Sequence, residues 1–331
     1  MFSSRVRFAR NVAGFPFPAR ASSEQLAQLL ARARQLFDNS TYGAEFVFSE
    51  LRSLSSLERR AMLEAHIVSP ALLEHRYSAG VAYTEDGRLS VMINEEDHFR
   101  IQAVEPGLRL RESFRSADSV DDWLSTQVPY AFRPDLGYLT AHIANLGTGM
   151  RASAMLHLPA LRMTGQLSAV LDAANRLDVA VRGMYGEDTA ASGDMYQVSN
   201  RYGIGRSEAD ILTEVEASAR HLVAEERRAR QQLLDDRRSE VEDAAWRAFG
   251  LLRYARSVST QEALRLLSDL RLGQSLGVVS FPARKLKHLI LAIQPGFLQV
   301  ISGPTYSPAE RDRRRARLLR QAVAEEELQA V

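Results

Sequence analysis

From Ser207 to near the C-terminus the sequence reads as almost continuous helix, whereas the part before it mixes strand-like runs with glycine and proline turns. This change of pattern constrains the chain most, because it requires two differently built parts in one polypeptide. The stretch 208–255 is charged and periodic, and RRARQQLLDDRR at 227–238 is its most polar part. Residues 260–272, 282–293 and 308–329 predict further helices. A boundary near 225–235, within or beside a long helix, divides the chain into 1–228 and 229–331. With 331 residues there is room for one large domain and a smaller one.

In the first part, residues 1–20 carry Gly14, Pro16 and Pro18 and read as loop or extended chain. Helices are predicted at Glu24 to Phe37 and around Leu57 to Ala65. Ala79 to Tyr83, a turn at Asp86-Gly87 and Leu89 to Ile93 form a predicted hairpin leading into Asn94-Glu95-Glu96-Asp97-His98. Leu136 to Ala144 has strand character and precedes the turn Asn145-Leu146-Gly147-Thr148-Gly149. Helices are then predicted at Arg151 to Leu158 and about Pro159 to Asn175, followed by a turn and strand region. Strands and helices mix without a regular βαβ repeat. The fold class expected is α+β, an antiparallel sheet flanked by helices and followed by an all-helical C-terminal domain.

Composition excludes several kinds of function. The formal net charge of +1 argues against a nucleic-acid or membrane-surface binder. Absence of cysteine rules out disulfides, thiolate zinc sites and thiol nucleophiles. No apolar run approaches the ~20 residues of a membrane span, and Met1-Phe2-Ser3-Ser4-Arg5 lacks a signal-peptide core. A cytoplasmic location is the expectation. Only Lys285 and Lys287 are lysines; a GC-rich genome is the ordinary reason for such an arginine excess.

Polar residues concentrate in several short segments. Arg5 and Arg7 would face one side of an extended strand. Arg100 follows the Glu95-Glu96-Asp97 cluster, and Arg151 opens the predicted helix, where free N–H groups also favour an anion. Arg182 begins another glycine-bearing loop, Arg182-Gly183-Met184-Tyr185-Gly186-Glu187. Singly, each reads as an ordinary solvated or salt-bridged residue.

Together they resemble the phosphagen (guanidino) kinases, through SSRVR at 3–7, NEEDHFR at 94–100, NLGTGMRAS at 145–153 and RGMYGE at 182–187. The narrower likeness is to the bacterial protein arginine kinases of the McsB type. It rests on VMINEEDHFRIQ (91–102), GTGMRASAMLHLPAL (147–161), QVSNRYGIGRSEADIL (197–212) and an RDxxRA motif, Arg311-Asp312-Arg313-Arg314-Arg315-Ala316. The resemblance implies a guanidino kinase catalytic domain, glutamine-synthetase-like in fold. It also implies transfer of the ATP γ-phosphoryl group, with Mg²⁺, to arginine side chains of proteins, for regulation, stress response or Clp-type proteolysis.

By the same resemblance Arg5, Arg7, Arg100, Arg151 and Arg182 hold the ATP phosphates and His66 sits at the nucleotide. The nucleotide set also takes in Ser3, Ser4, Val6, Ala152, Ser153, Ala154, Met155, Gly183, Met184, Tyr185, Gly186 and Glu187. Guanidinium forks suit such a site because they grip phosphate oxygens bidentately. Glu96 as base and Glu187 as orienting partner match the family's two glutamates around the acceptor, whose pKa above ~12 makes it a poor nucleophile unaided. No metal ligands are expected from the protein itself. Arg311, Asp312, Arg315 and Ala316 correspond to a phosphoarginine pocket. Implied partners are protein substrates, an McsA-type activator, a Clp ATPase and a second copy of the chain, with neither membrane nor nucleic acid.

Two departures stand out. The family's cysteine just before the glycine turn is replaced by His142, in His142-Ile143-Ala144-Asn145. The sequence also begins at the SSR motif, without the N-terminal helical domain of the small-molecule enzymes, and is short by a couple of helical turns even beside the McsB type. The missing domain leaves the acceptor side open, as a protein substrate requires, while His142 keeps a weak or inactive phosphoarginine-binding adaptor as an alternative; a kinase of free arginine is the third reading.

Overall fold

Alternation in the first ten residues separates two faces of a strand. In the computed structural model, which describes residues 1–39, 42, 45–74, 78–175, 178–183, 192–303 and 306–329, β1 (Ser3–Arg10) buries Ser4, Val6 and Phe8 and leaves Arg5 and Arg7 half-buried. The sheet continues through β2 (Phe46–Glu50), β3 (Gly80–Thr84), β4 (Leu89–Ile93) and β5 (Phe99–Pro106). A two-stranded ribbon, β6 (Phe132–Arg133) and β7 (Gly137–Tyr138), stands apart from β8 (Met150–His157), β9 (Val179–Gly183) and β10 (Met195–Asn200). The eight-stranded order is β2-β3-β4-β5-β1-β8-β10-β9. Pairing from β2 through β5 to β1 is antiparallel throughout.

The chain divides into two compact units: Met1–Ala154 with Asp178–Ala180 and Val198–Ser218, and Met155–Leu177 with Val181–Gln197 and Ala219–Val331. Within the first unit the register fixes which side chains share a face. Val6 lies opposite Ala103 and Phe8 opposite Ile101, all buried. Helices here are α1 (Ser23–Asn39), α2 (Ser56–Glu64), α3 (Pro70–Glu74) and α4 (Leu110–Gln127). α4 packs against β1 and β5 through Leu110, Ala117, Val120 and Leu124. Phe8 and Phe114 meet edge-on at 5.9 Å. Burying the leucine, valine and phenylalanine side chains among these stabilises the unit by ~1.5–3 kcal/mol each.

On the other face Arg7 lies opposite Gln102, Ala9 opposite Arg100, and Arg100 opposite Met92. Met92 belongs to a cluster with Leu51, Met62, Val68, Leu72, Ala79 and Val81. α2 and α3 therefore cover the β3–β4 end of this face. The arginines are left at its open part.

The second unit holds α5 (Pro159–Met163), α6 (Leu167–Asn175), most of α7 (Glu208–Asp236), α8 (Arg238–Tyr254), α9 (Thr260–Ser275), α10 (Ala283–Ala292), α11 (Pro295–Ser302) and α12 (Pro308–Gln329). Glu226 accepts from the N–H groups of Ala160 and Leu161 at 3.2 and 3.0 Å, satisfying free donors at the start of α5. Among the described residues no helix is long and apolar enough to cross a membrane.

The α+β class stands, and so do the early helices, the hairpin and the helical second half. Three expectations do not. Arg151 to Leu158 forms strand β8 rather than a helix, because edge-to-edge pairing in the sheet overrides the helix propensity of RASAMLHL. Arg151 thus has no helix N-terminus behind it. Pro159 to Asn175 is two helices, broken around Gly165 at φ 72°. Leu136 to Ala144 contributes only the two residues of β7 before a 3-10 turn at Ile143–Asn145. α4 was not expected at all.

Candidate active site

Four guanidinium groups share one region of the first unit. Arg5, Arg7 and Arg100 occupy one sheet face by register, and Arg151 on β8 is close enough to repel Arg5 and Arg7. Burial and then repulsion from Arg100 and Arg151 bring Arg5 down to about 10. Arg7 is pushed well below its ordinary value by burial and by Arg5, Arg100 and Arg151, with only Glu95 opposing. The buried Nε of Arg7 has no hydrogen-bond partner among the described residues. A cluster of mutually repelling guanidiniums, with an orphaned donor on Arg7, fits an anion carrying several oxygens. Arg151 also donates to Ser199 Oγ at 3.2 Å, which steadies its position.

The turn at 94–98 supplies the carboxylates. Asn94 takes a left-handed φ of 59° and is pinned by donating to the carbonyls of Leu26 and Ser78, at 2.9 and 2.6 Å. Glu95 is fully buried. It accepts from Arg100 Nη1 on both oxygens at 2.6 and 2.5 Å, and from the Ser69 hydroxyl. Burial opposes its charge, but attraction and hydrogen bonds from Arg100, with Ser69 and the Glu96 N–H, hold its pKa below the ordinary value. Glu96 beside it is 44% exposed, its Oε2 3.9 Å from Arg100 Nη1. Asp97 turns inward, accepting from Asn11 at 2.5 Å and the Ala141 N–H at 2.7 Å, and burial raises its pKa. Of the three acidic residues, only Glu96 is left open.

His66 reaches the same region from the end of α2, which starts with a capping box at Ser55 and Glu58. The helix closes with the His66 N–H donating to Leu63 O at 3.0 Å and the Ile67 N–H to Met62 O at 2.9 Å. This is the Schellman pattern, with His66 at φ 61° where glycine is usual. Such a conformation costs a non-glycine residue on the order of 1 kcal/mol. Gln102 further ties the His66 carbonyl at 2.6 Å. Crowding by protein, then Arg5 and Arg7, lower the His66 pKa to about 4. His66 is itself exposed.

Other expected residues lie elsewhere. Ser4 and Val6 face away from the arginines: Ser4 donates to Gly107 O and accepts from the Arg109 N–H. Alternation along β8 turns Ala152 and Ala154 to the same side as each other and away from Arg151. These four can meet a ligand through backbone at most. Ser3 shares the arginine face, and Ser153 Oγ lies 3.5 Å from Arg5 O. Met155, Arg182 and Gly183 belong to the second unit, with Arg182 exposed on β9. Met184, Tyr185, Gly186 and Glu187 lie outside the described residues. His142 is exposed, and its Nδ1 accepts from the Ala144 N–H at 3.2 Å.

In the second unit Arg315 is 1% exposed. Its Nε donates to Ile293 O at 2.8 Å, and its Nη1 to Val258 O and Asp312 Oδ1 at 2.8 and 2.6 Å. Ala316 is buried beside it. Arg311 is half-buried and donates to Tyr306 O at 3.0 Å. Arg315 thus joins three segments of the helical region.

Residues 28–229 match the ATP:guanido phosphotransferase C-terminal catalytic domain, over more than half of the chain. The chain belongs to the ATP:guanido phosphotransferase family. For this guanido phosphotransferase the match starts beyond β1, so the case for Arg5 and Arg7 rests on geometry. Residues 238–330 match the domain described as the protein-arginine kinase McsB C-terminal domain. The protein-arginine kinase of Caldanaerobacter subterraneus subsp. tengcongensis is 43% identical over 318 residues, covering 96% of this chain and 94% of that one. That of Pelotomaculum thermopropionicum is 44% identical over 328 residues, covering 98% and 92%.

Among solved structures, the substrate-free duplicated taurocyamine kinase from Schistosoma mansoni is 26% identical with a TM-score of 0.59, over 68% of this chain. This chain spans only 33% of that duplicated one. Lombricine kinase, at 21% identity and a TM-score of 0.60 over 71% of this chain and 66% of its own, shares the fold.

The residues that sequence reasoning missed in this guanido phosphotransferase are supports: Glu95, Ser69, Asp97, Asn11, Gln102 and Ser199. Glu95 had a signal in Arg100, five residues further along on β5. The others come from distant segments, and nothing in the linear order pairs them.

Proposed function

We infer that this protein transfers the γ-phosphoryl group of ATP to arginine side chains of other proteins. The observation that carries this reading is the face bearing Arg5, Arg7, Arg100 and Arg151, next to an open carboxylate at Glu96. Support for a protein acceptor comes from the McsB-type C-terminal match and from the relatives, which are named protein-arginine kinases.

In this reading the four guanidiniums grip the phosphates and align the terminal one, with Arg182 as a fifth. Positioning and charge neutralisation are most of what phosphoryl transfer asks of a protein. Magnesium would come with the nucleotide held by Arg5, Arg7, Arg100 and Arg151, and would add to the charge neutralisation that these arginines supply. Glu96 pairs with the acceptor guanidinium, points one nitrogen at the phosphorus and takes its proton, with Glu187 as the orienting partner. Glu95 is already committed to Arg100, which leaves Glu96 as the candidate base on this turn.

The domain division proposed is 1–228 for catalysis and 229–331 for recognition of protein substrate and phosphoarginine. Arg311 and Asp312 are the side chains suited to the phosphoarginine, with Arg315 and Ala316 holding the frame beneath them. A cytoplasmic site of action, a homodimer, an McsA-type activator and delivery to a Clp ATPase complete the reading.

The test uses labelled ATP and Mg²⁺ with a protein substrate and, separately, free arginine. Acid-labile label on protein, lost in Glu187→Ala, is the expected result. Label on free arginine alone contradicts the reading. No transfer, with phosphoarginine peptides still bound, makes the protein an adaptor.

A further inference from the structure

The candidate base has an apolar neighbour that the mechanism above does not use. Asp97 accepts from the Ala141 N–H at 2.7 Å, and Asn11 bridges Asp97 to Leu139 O at 3.0 Å. The turn holding Glu96 is therefore bound to the segment leading into His142 and Ile143. Ile143 is 76% exposed. The segment then runs to Gly147, which bridges both Tyr138 and Gly203. Around that crossing Phe132, Tyr202 and Ile204 are also exposed, and the Phe132 and Tyr138 rings meet at 5.3 Å.

The crossing is built for close backbone approach. A Cβ on Gly137 would lie 2.4 Å from Gly147 O, and one on Gly147 would lie 2.6 Å from Gly203 O. Gly203 in turn sits against Leu146 O, at 3.1 Å from its own notional Cβ. Three loops are thus locked together, and their apolar side chains face solvent on a fixed frame. Scattered exposed apolar residues need no explanation, but a set gathered on interlocked loops beside a site marks contact with a partner. Preorganisation of the frame lowers the entropy lost when that partner binds.

Resting on the protein-arginine reading of the site, we propose that Ile143, Tyr202 and Ile204 form a specificity rim. It selects arginines flanked by apolar residues in an extended segment of the substrate polypeptide. Glu96 takes the guanidinium while the rim covers the apolar neighbour. The Ala141–Asp97 hydrogen bond, one residue from Glu96, ties the segment bearing Ile143 to the acceptor carboxylate and favours substrate over any other occupant.

The experiment compares two peptides of equal length with one arginine each, flanked by leucines or by serines, using the full chain with ATP and Mg²⁺. The leucine-flanked peptide is expected to show about fivefold higher kcat/KM, expressed mainly in KM. In Ile143→Ser/Tyr202→Ser/Ile204→Ser the two peptides converge while the serine-flanked one keeps its rate. Ile143→Ser alone, at the most exposed position, is expected to remove a large part of the preference without disturbing the fold. Equal rates in the unaltered protein overturn the proposal, as they would if a second copy of the chain covered the rim. A preference that survives in both variants overturns it too. Transfer to free arginine but to neither peptide removes the protein-kinase reading, and the rim with it.

Discussion

Glu95 holds Arg100 through both carboxylate oxygens, at 2.5 and 2.6 Å, from a fully buried position. Arg100 thus has a counter-ion and a fixed direction. Arg5 and Arg7 repel each other and their neighbours across the face. The site is consequently pinned at Arg100, and its like charges crowd one another at Arg5 and Arg7.

Glu95→Gln is expected to lower stability by about 2–3 kcal/mol at pH 7, because it leaves Arg100 without its counter-charge. Loss of Arg100 alignment should lower kcat by at least about tenfold. The pH dependence has a definite sign. Glu95 titrates below its ordinary value in the folded protein, so its stabilisation is complete above the ordinary carboxylate range and is lost as pH falls through the folded value. Urea unfolding should therefore show the gap between variant and parent closing in acid.

Arg7→Met separates function from stability. Removing a crowded charge whose Nε is unsatisfied should raise the stability of the nucleotide-free protein by about 1 kcal/mol. ATP binding should weaken by at least about tenfold, since a bidentate phosphate contact is lost. Thermal unfolding and calorimetric titration together read both effects. A variant that loses stability and keeps its ATP affinity would show that Arg7 is a structural residue.

His66 should report the arrival of phosphate. Without ligand its imidazole is held below its ordinary value, crowded by protein and repelled by Arg5 and Arg7. A bound polyanion offsets those two charges and favours the imidazolium, so its pKa should rise by a unit or more. NMR titration of the ring with and without a non-hydrolysable ATP analogue measures the shift. An unchanged value would place the phosphates away from this histidine.

How much of this was legible in the sequence depended on how local each feature is. The SSRVR alternation gave the correct strand and face for Arg5 and Arg7, because strand periodicity is a two-residue property. The 3.6-residue pattern beyond Ser207 likewise showed the helical half. Arg151 was misplaced on a helix because RASAM carries good helix formers, and only pairing within the sheet makes it a strand. Ser4, Val6, Ala152 and Ala154 were grouped with their neighbours by motif, yet strand alternation turns them away. The Asn11–Asp97 and Ser69–Glu95 contacts span 86 and 26 residues, beyond the reach of any local pattern.

Arg315→Ala should destabilise the helical region by about 3 kcal/mol, since a buried guanidinium with three acceptors is removed. Arg311→Ala should change stability by no more than about 0.5 kcal/mol while weakening the binding of phosphoarginine peptides. Unfolding curves and peptide titrations on both variants distinguish the frame from the pocket. Retained peptide affinity in Arg311→Ala would remove Arg311 from the pocket.

The most direct measurement is mass spectrometry of a protein substrate after incubation with ATP and Mg²⁺, under conditions that preserve the phosphorus–nitrogen bond. Phosphoryl groups on arginine side chains, absent when Glu96→Ala or Arg151→Ala replaces the unaltered protein, are the predicted result. Phosphoryl groups on hydroxyl side chains, or phosphorylation of free arginine with none on protein, would contradict the account.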